Sequence, residues 1–103
     1  MRYRPQSKDE RTIPLRGDVC LMKETLLGRT AGYYAAIVSV SGDSLEIKRL
    51  WKTDPNGTRH LLYDAAPTGL EYAVFMDPEA FIVRKSDLVR ILGRISKRDR
   101  NYL

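Results

Sequence analysis

The sequence predicts a mostly β domain, a small barrel of five to six short strands with flexible basic termini. Three observations lead there. Residues 32–51, GYYAAIVSVSGDSLEIKRLW, read as one hairpin: two β-rich runs joined at Ser41-Gly42-Asp43-Ser44. Further turn signals punctuate the chain at short intervals, among them Leu15-Arg16-Gly17-Asp18 and Asp54-Pro55-Asn56-Gly57. No internal repeat and no long amphipathic helix breaks the pattern.

Residues 1–14 are polar, carry Pro5 and Pro14, and show no periodicity, so they read as a basic arm. The turn at Leu15–Asp18 leads into Val19-Cys20-Leu21-Met22, an apolar run of strand length. Residues 23–31 read as a connecting loop, with one helical turn over residues 23–27 as the alternative. In the hairpin, Gly42 suits a two-residue type II′ turn, which fixes the register. Val40 then faces Leu45, Val38 faces Ile47, Ala36 faces Arg49 and Tyr34 faces Trp51. The apolar pairs form the core end, and Tyr34 and Trp51 meet where the hairpin leaves it.

After the turn at Asp54–Gly57, residues 59–63 read as a short strand and residues 64–69 as a loop. Residues 71–75 and 79–83 read as two short strands, or one bent strand broken at Met76-Asp77-Pro78. Residues 84–88 form a turn or a single 3-10 turn. Val89, Ile91 and Ile95 then mark a last strand through Gly93. A rival reading makes residues 86–98 a helix capped by Ser86. Residues 97–103 read as a basic tail, which leaves residues 15–96 as the folded domain. Several short strands with one small turn before the last is the layout of an SH3-like barrel.

A chain of 103 residues holds one domain. Its 43% hydrophobic and 30% charged composition is that of a globular protein. No apolar run reaches the length of a membrane span, and Met1-Arg2-Tyr3-Arg4-Pro5 lacks the apolar core of a signal peptide, so the expected location is intracellular and no membrane partner is expected. One cysteine and one histidine leave no internal disulfide and no structural zinc site.

The net charge of +5 is unevenly spread: +3 over residues 1–16, +5 over residues 84–103, and −4 over residues 64–83, which contain no Lys or Arg. Basic ends suit nucleic acid or another anionic surface, through Arg2, Arg4, Lys8 and Arg11 at one end and Arg94, Lys97, Arg98 and Arg100 at the other. The acidic middle suits a basic peptide.

Nothing points to catalysis. There is no Gly-rich phosphate loop, nucleophile motif or histidine pair. His60 has no evident partner, Cys20 sits in an apolar strand, and Asp64, Glu71, Asp77 and Glu79 lack the spacing of a calcium loop, so no metal or cofactor is expected. The aromatic residues are more informative. Tyr33, Tyr34, Trp51, Tyr63, Tyr72 and Phe75 fall on strand ends or loops of the central stretch. Such rings either close the rim of a thin barrel or hold a cation against their faces.

The order "GDVCLM", "YYAAIVSV", "LEIKRLW", a turn-rich insertion, and "EYAVFMDPEAFIVRKSDLVRILGRI" resembles the bromo-adjacent homology (BAH) domain over about residues 15–95. Tudor and related SH3-like reader domains share the first half. The resemblance implies an interaction module of a nuclear, chromatin-associated complex that binds histone tails or other basic segments, in some members through a methyl-lysine cage. Tyr34 and Trp51 match cage-type positions, while Tyr33 and Tyr72 are candidates by location. Lys52 and Thr53 follow Trp51 where cage-forming members often carry further aromatics.

The leading expectation is a non-enzymatic recognition module. Tyr33, Tyr34, Trp51 and Tyr72 would supply ring faces to a basic protein segment, and Asp64, Glu71 and Asp77 the opposing charge. The alternatives are an SH3-like domain binding DNA or RNA through its basic termini, and a structural subunit of a larger assembly whose arms order on partners.

Overall fold

The structure, a computed structural model, describes residues 13–103. Most of the expected basic arm, including Arg2, Arg4, Lys8 and Arg11, lies outside the described residues. The domain is 49% strand and has no α-helix among the described residues. Seven strands follow in order: β1 (Asp18–Leu26), β2 (Arg29–Ser41), β3 (Ser44–Trp51), β4 (His60–Leu61), β5 (Phe75–Met76), β6 (Phe81–Arg84) and β7 (Leu88–Arg94). Among the described residues, three 3-10 turns join or end them, at Ala66–Thr68, Lys85–Asp87 and Asp99–Tyr102. The expected turn before the last strand is present, and the rival helix over residues 86–98 is not formed.

All pairings are antiparallel, in the order β4-β5-β3-β2-β1-β7, with β6 also on β3 beside β5. The expected barrel is corrected to a seven-stranded sheet that does not close on itself. Beside β7 at Gly93 stands the 3-10 turn Ala66–Thr68 in place of another strand: a side chain on Gly93 would run into the Pro67 and Thr68 backbone.

Both faces of the sheet are covered. One buried cluster holds Cys20, Met22, Tyr33, Ala35, Ile37, Leu45, Ile47 and Ile91. The other holds Val19, Ala36, Leu50, Leu62, Val74, Met76 and Ile95, with Tyr34, Tyr72 and Leu103 against it. This is why residues 33–37 are a continuous apolar run: successive β2 side chains enter opposite clusters.

The hairpin differs from the expected register in one physical respect. Val40 does face Leu45, but β2 carries a bulge between Ile37 and Ser39, and from there Ile37 faces Ile47, Ala35 faces Arg49 and Tyr34 faces Leu50. One extra residue on β2 sends every side chain below it to the other face. The bulged segment is held from outside the hairpin. The Gly17 amide donates to the Ile37 carbonyl at 2.8 Å, and Arg16 Nη1 donates to the Val38 carbonyl at 2.8 Å. Tyr34 and Trp51 therefore do not face each other; Trp51 pairs with Phe75 of β5.

Residues 23–31 are a second hairpin rather than a loop. β1 and β2 pair out to Leu26 and Arg29, and both turn residues, Leu27 (φ 54°) and Gly28 (φ 78°), take the left-handed backbone of a type I′ turn. Residues 71–74 are not strand, although the Val74 carbonyl accepts the Leu62 amide at 2.9 Å.

Two glycine replacements separate crowding from backbone strain. Gly93→Ala is expected to cost about 2–3 kcal/mol, because the new methyl must displace the Pro67–Thr68 backbone. That lowers the thermal midpoint by about 8–24 °C. Gly42 has φ 57° and open space around it, so Gly42→Ala is expected to cost only about 1 kcal/mol of backbone strain. Thermal melts of the two variants check the ranking.

Candidate functional site

The expected peptide-binding residues separate into two groups. On one side of β3, Arg49 lies over both Tyr33 (4.7 Å to the ring centre) and Trp51 (4.2 Å). Arg59 also lies over Trp51, at 4.3 Å. Trp51 Nε1 donates to Asp77 Oδ2 at 2.9 Å, and Arg59 Nε donates to Asp77 Oδ1 at 2.9 Å. Arg59 is further tied by Nη1 to the Thr53 carbonyl, and its amide to the Asp54 side chain. The Trp51 ring thus carries two of the chain's own guanidiniums, and both oxygens of Asp77 accept hydrogen bonds from within the domain.

Tyr34 and Tyr72 lie with the other buried cluster, and Lys52 Nζ sits 5.0 Å from the Tyr72 ring centre. Burial, and then the neighbouring Tyr34, push the Tyr72 phenol above its ordinary pKa; burial, and then Glu24, do the same for Tyr33. The four candidate rings therefore do not line one cage. Of the remaining acids, Glu71 is exposed and the Asp64 amide donates to Asp99.

The basic candidates converge instead. Arg94 Nη2 donates to the Arg16 carbonyl at 2.8 Å, joining the two ends of the domain, and Arg94 Nε lies 3.5 Å from the buried carboxylate of Asp18. Arg100 Nε donates to the Ile95 carbonyl at 3.1 Å. Arg94 and Arg100 both reach Gly17: a Cβ there would stand 3.1 Å from Arg94 Nη2 and 3.2 Å from Arg100 Nε. Glycine leaves room for two guanidiniums at the turn that also carries Arg16. Lys97 and Arg98 are exposed on the following turn.

Residues 97–103, expected as a basic tail outside the folded domain, pack against it. Asp99 is fully buried. Its carboxylate accepts from the Tyr63 amide (2.9 Å), the Asp64 amide (3.0 Å) and the Ser96 hydroxyl (3.1 Å), and lies 3.1 Å from His60 Nε2. Ser96 Oγ in turn accepts the Asp99 amide at 3.1 Å. Tyr102 stacks flat on His60, with ring centres 3.6 Å apart and 15° between planes. Tyr63 lies 6.3 Å from Tyr102, and Arg98 lies 4.2 Å over Tyr63. Leu103 packs on the second buried cluster, and Lys48 Nζ donates to the Tyr102 carbonyl.

Sequence reasoning missed this assembly because His60 and Asp99 are 39 residues apart. One signal did stand in the sequence: Ser96-Lys97-Arg98-Asp99 has the spacing of a capping box. Among the described residues, no three His, Cys, Asp or Glu side chains gather as metal ligands, and no helix is long and apolar enough to cross a membrane. The chain matches no protein-family model and no curated protein.

Burial alone would raise the Asp99 pKa, but the hydrogen bonds from Tyr63, Asp64, His60 and Ser96 outweigh it and hold the carboxyl below its ordinary value of 3.8. A depressed carboxylate stabilises the fold fully above the unfolded-state value and loses that contribution as pH falls through the folded-state value. Stability is therefore expected to drop on acidification below about pH 4, and Asp99→Asn to flatten that part of the profile in denaturant melts. Asp99→Ala strands several buried donors and is expected to cost about 3 kcal/mol or more, a fall of about 12 °C or more in thermal midpoint. Deleting residues 97–103 is expected to do at least as much.

Proposed function

We propose that the protein is a non-enzymatic nucleic-acid-binding module whose phosphate contacts come from the basic residues gathered at Gly17. The observation that carries this reading is the approach of the Arg94 and Arg100 guanidiniums to Gly17 beside Arg16, with Lys97 and Arg98 on the adjoining turn. Each of the three guanidiniums is oriented by a bond to a backbone carbonyl, which uses one of its five donors. Arg94 already pairs with the buried Asp18 carboxylate at 3.5 Å, so the positive charge left for an incoming phosphate is that of Arg16 and Arg100 with the exposed Lys97 and Arg98. Residues 1–12 add Arg2, Arg4, Lys8 and Arg11 to the positive charge of the chain.

The path β6-β3-β2-β1-β7, with a 3-10 turn before its last strand, supports the SH3-like layout that such modules share. The reading of the chain as a BAH-like binder of histone or other basic segments, with its nuclear setting, rests on the order of the quoted motifs. It draws less from the geometry. An incoming ammonium at Trp51 must compete with Arg49 and Arg59, and Asp77 already accepts from Trp51 and Arg59.

The test is binding of labelled oligonucleotides at 50 and 200 mM salt. Affinity is expected to fall steeply, with a slope of about −0.7 per phosphate contact on single strands and about −0.9 on duplex DNA. Lys97→Ala with Arg98→Ala is expected to weaken binding and to make the slope shallower by about one for each phosphate-bound cation removed. Absent or salt-insensitive binding, alongside binding of lysine-rich histone-type peptides, would replace this reading with the peptide one.

A further inference from the structure

We propose that the exposed ring pair Tyr63 and Tyr102, bordered by Arg98, is a nucleobase-stacking platform that makes this surface selective for single-stranded nucleic acid. The proposal rests on the nucleic-acid reading above and adds the form of the ligand to it.

The two rings differ from most other aromatic side chains of the domain; Phe81 is also 41% exposed and in neither buried cluster, and lies 6.5 Å from the Tyr33 ring. Tyr33 is buried, Tyr34 and Tyr72 pack on a core cluster, and Trp51 is covered by two arginines. Tyr63 and Tyr102 belong to neither buried cluster and are 54% and 43% exposed, with Arg98 against the Tyr63 ring and His60 against the Tyr102 ring. Yet they are not loosely placed. The Tyr63 backbone is pinned through its amide to buried Asp99, and Tyr102 is stacked on His60, whose Nε2 lies against the same carboxylate. A fully buried carboxylate is thus used to hold two rings at the surface in fixed positions, which lowers the entropy cost of stacking a ligand on them.

The chemistry around the rings identifies the ligand. Arg98 lies 4.2 Å over Tyr63, Lys97 is exposed beside it, and Lys48 reaches the Tyr102 carbonyl. Beyond them on the same C-terminal segment is Arg100, and with it the cluster at Gly17. Ring faces interleaved with cations match alternating bases and phosphates. In a duplex the base faces are stacked inside and out of reach, whereas in a single strand each base has a free face to offer, and an arginine plane can share the stack.

The experiment compares fluorescence anisotropy titrations of labelled dT15 and rU15, and of a duplex of the same length, with wild type, Tyr63→Ala and Tyr63→Phe at one salt concentration. The expected result is tighter binding of dT15 or rU15 than of duplex. Tyr63→Ala should weaken single-strand binding about 5- to 100-fold, Tyr63→Phe should keep it, and duplex affinity should change less than about twofold. Tyr102→Ala should act in the same direction. Because it also removes the ring stacked on His60, a fall in its thermal midpoint leaves the Tyr63 pair of variants to decide. Salt-dependent binding of both forms that ignores Tyr63→Ala, or weakens equally for both, overturns the platform while leaving the nucleic-acid reading standing. No binding to any of the three probes overturns both.

Discussion

The carboxylate of Asp99 is the constraint on which the candidate surface depends. It is buried, it accepts from two backbone amides and a hydroxyl, and it faces the His60 ring. A charge at such a site is tolerated only because nearly every lone pair finds a donor. The donors come from the short segment after β4 and from Ser96, so one side chain ties residues 60–64 to the end of the chain. With that tie in place the Tyr102 ring has somewhere to stack, Arg98 falls over Tyr63, and Arg100 is turned back toward Gly17. Acidic and basic residues therefore have different tasks here. Asp18, Asp77 and Asp99 organise the interior and its margins, while the cations they leave uncompensated face outward.

The same division explains the fate of Trp51. A tryptophan at the end of a strand, beside acidic residues, has the composition of a cation-binding site, and it does bind cations: Arg49 and Arg59. The insertion between β3 and β4 supplies Arg59 and the approach to β6 supplies Asp77, so the two segments are clamped across the indole. The clamp serves as architecture for a stretch with little regular structure of its own.

How much of this was legible depended on where each signal came from. The β2–β3 hairpin announced itself through alternation and Gly42, and the 3-10 turn before β7 through Lys85-Ser86-Asp87, because both are local. The bulge at Val38 was not legible: carbonyls there are held by Gly17 and Arg16, more than twenty residues upstream in the case of Arg16 and Val38 (22 residues). Its effect was to exchange Tyr33 for Tyr34 beside Trp51. The outer half of the β1–β2 hairpin was missed for another reason. Residues 23–32 are all exposed, so they show no alternation, and the pairing is carried by the backbone with a Thr25–Thr30 hydroxyl contact at 3.1 Å beside it. For the candidate site, positive charge at both ends was plain from composition. That the ends meet, and that His60, Tyr63 and Tyr102 meet beside them, follows from contacts between distant parts of the chain.

The pairing of β1 with β7 also bears on how this chain reaches its native state. Arg94 bonds to the Arg16 carbonyl across a separation of 78 residues, and Asp18 pairs with Arg94 in the sheet. The entropy of closing so large a loop must be met before that pairing returns any energy. Topologies dominated by such pairings fold in about milliseconds to seconds, much slower than helical bundles. During that interval one side of β1 is an open edge carrying Val19, Cys20 and Met22, side chains that the finished domain buries completely. Crowding between nascent copies is then a hazard, because an unpaired apolar edge is a template for another strand. The positive charge at both ends of the chain gives such intermediates a mutual repulsion well before β7 arrives to cover the edge.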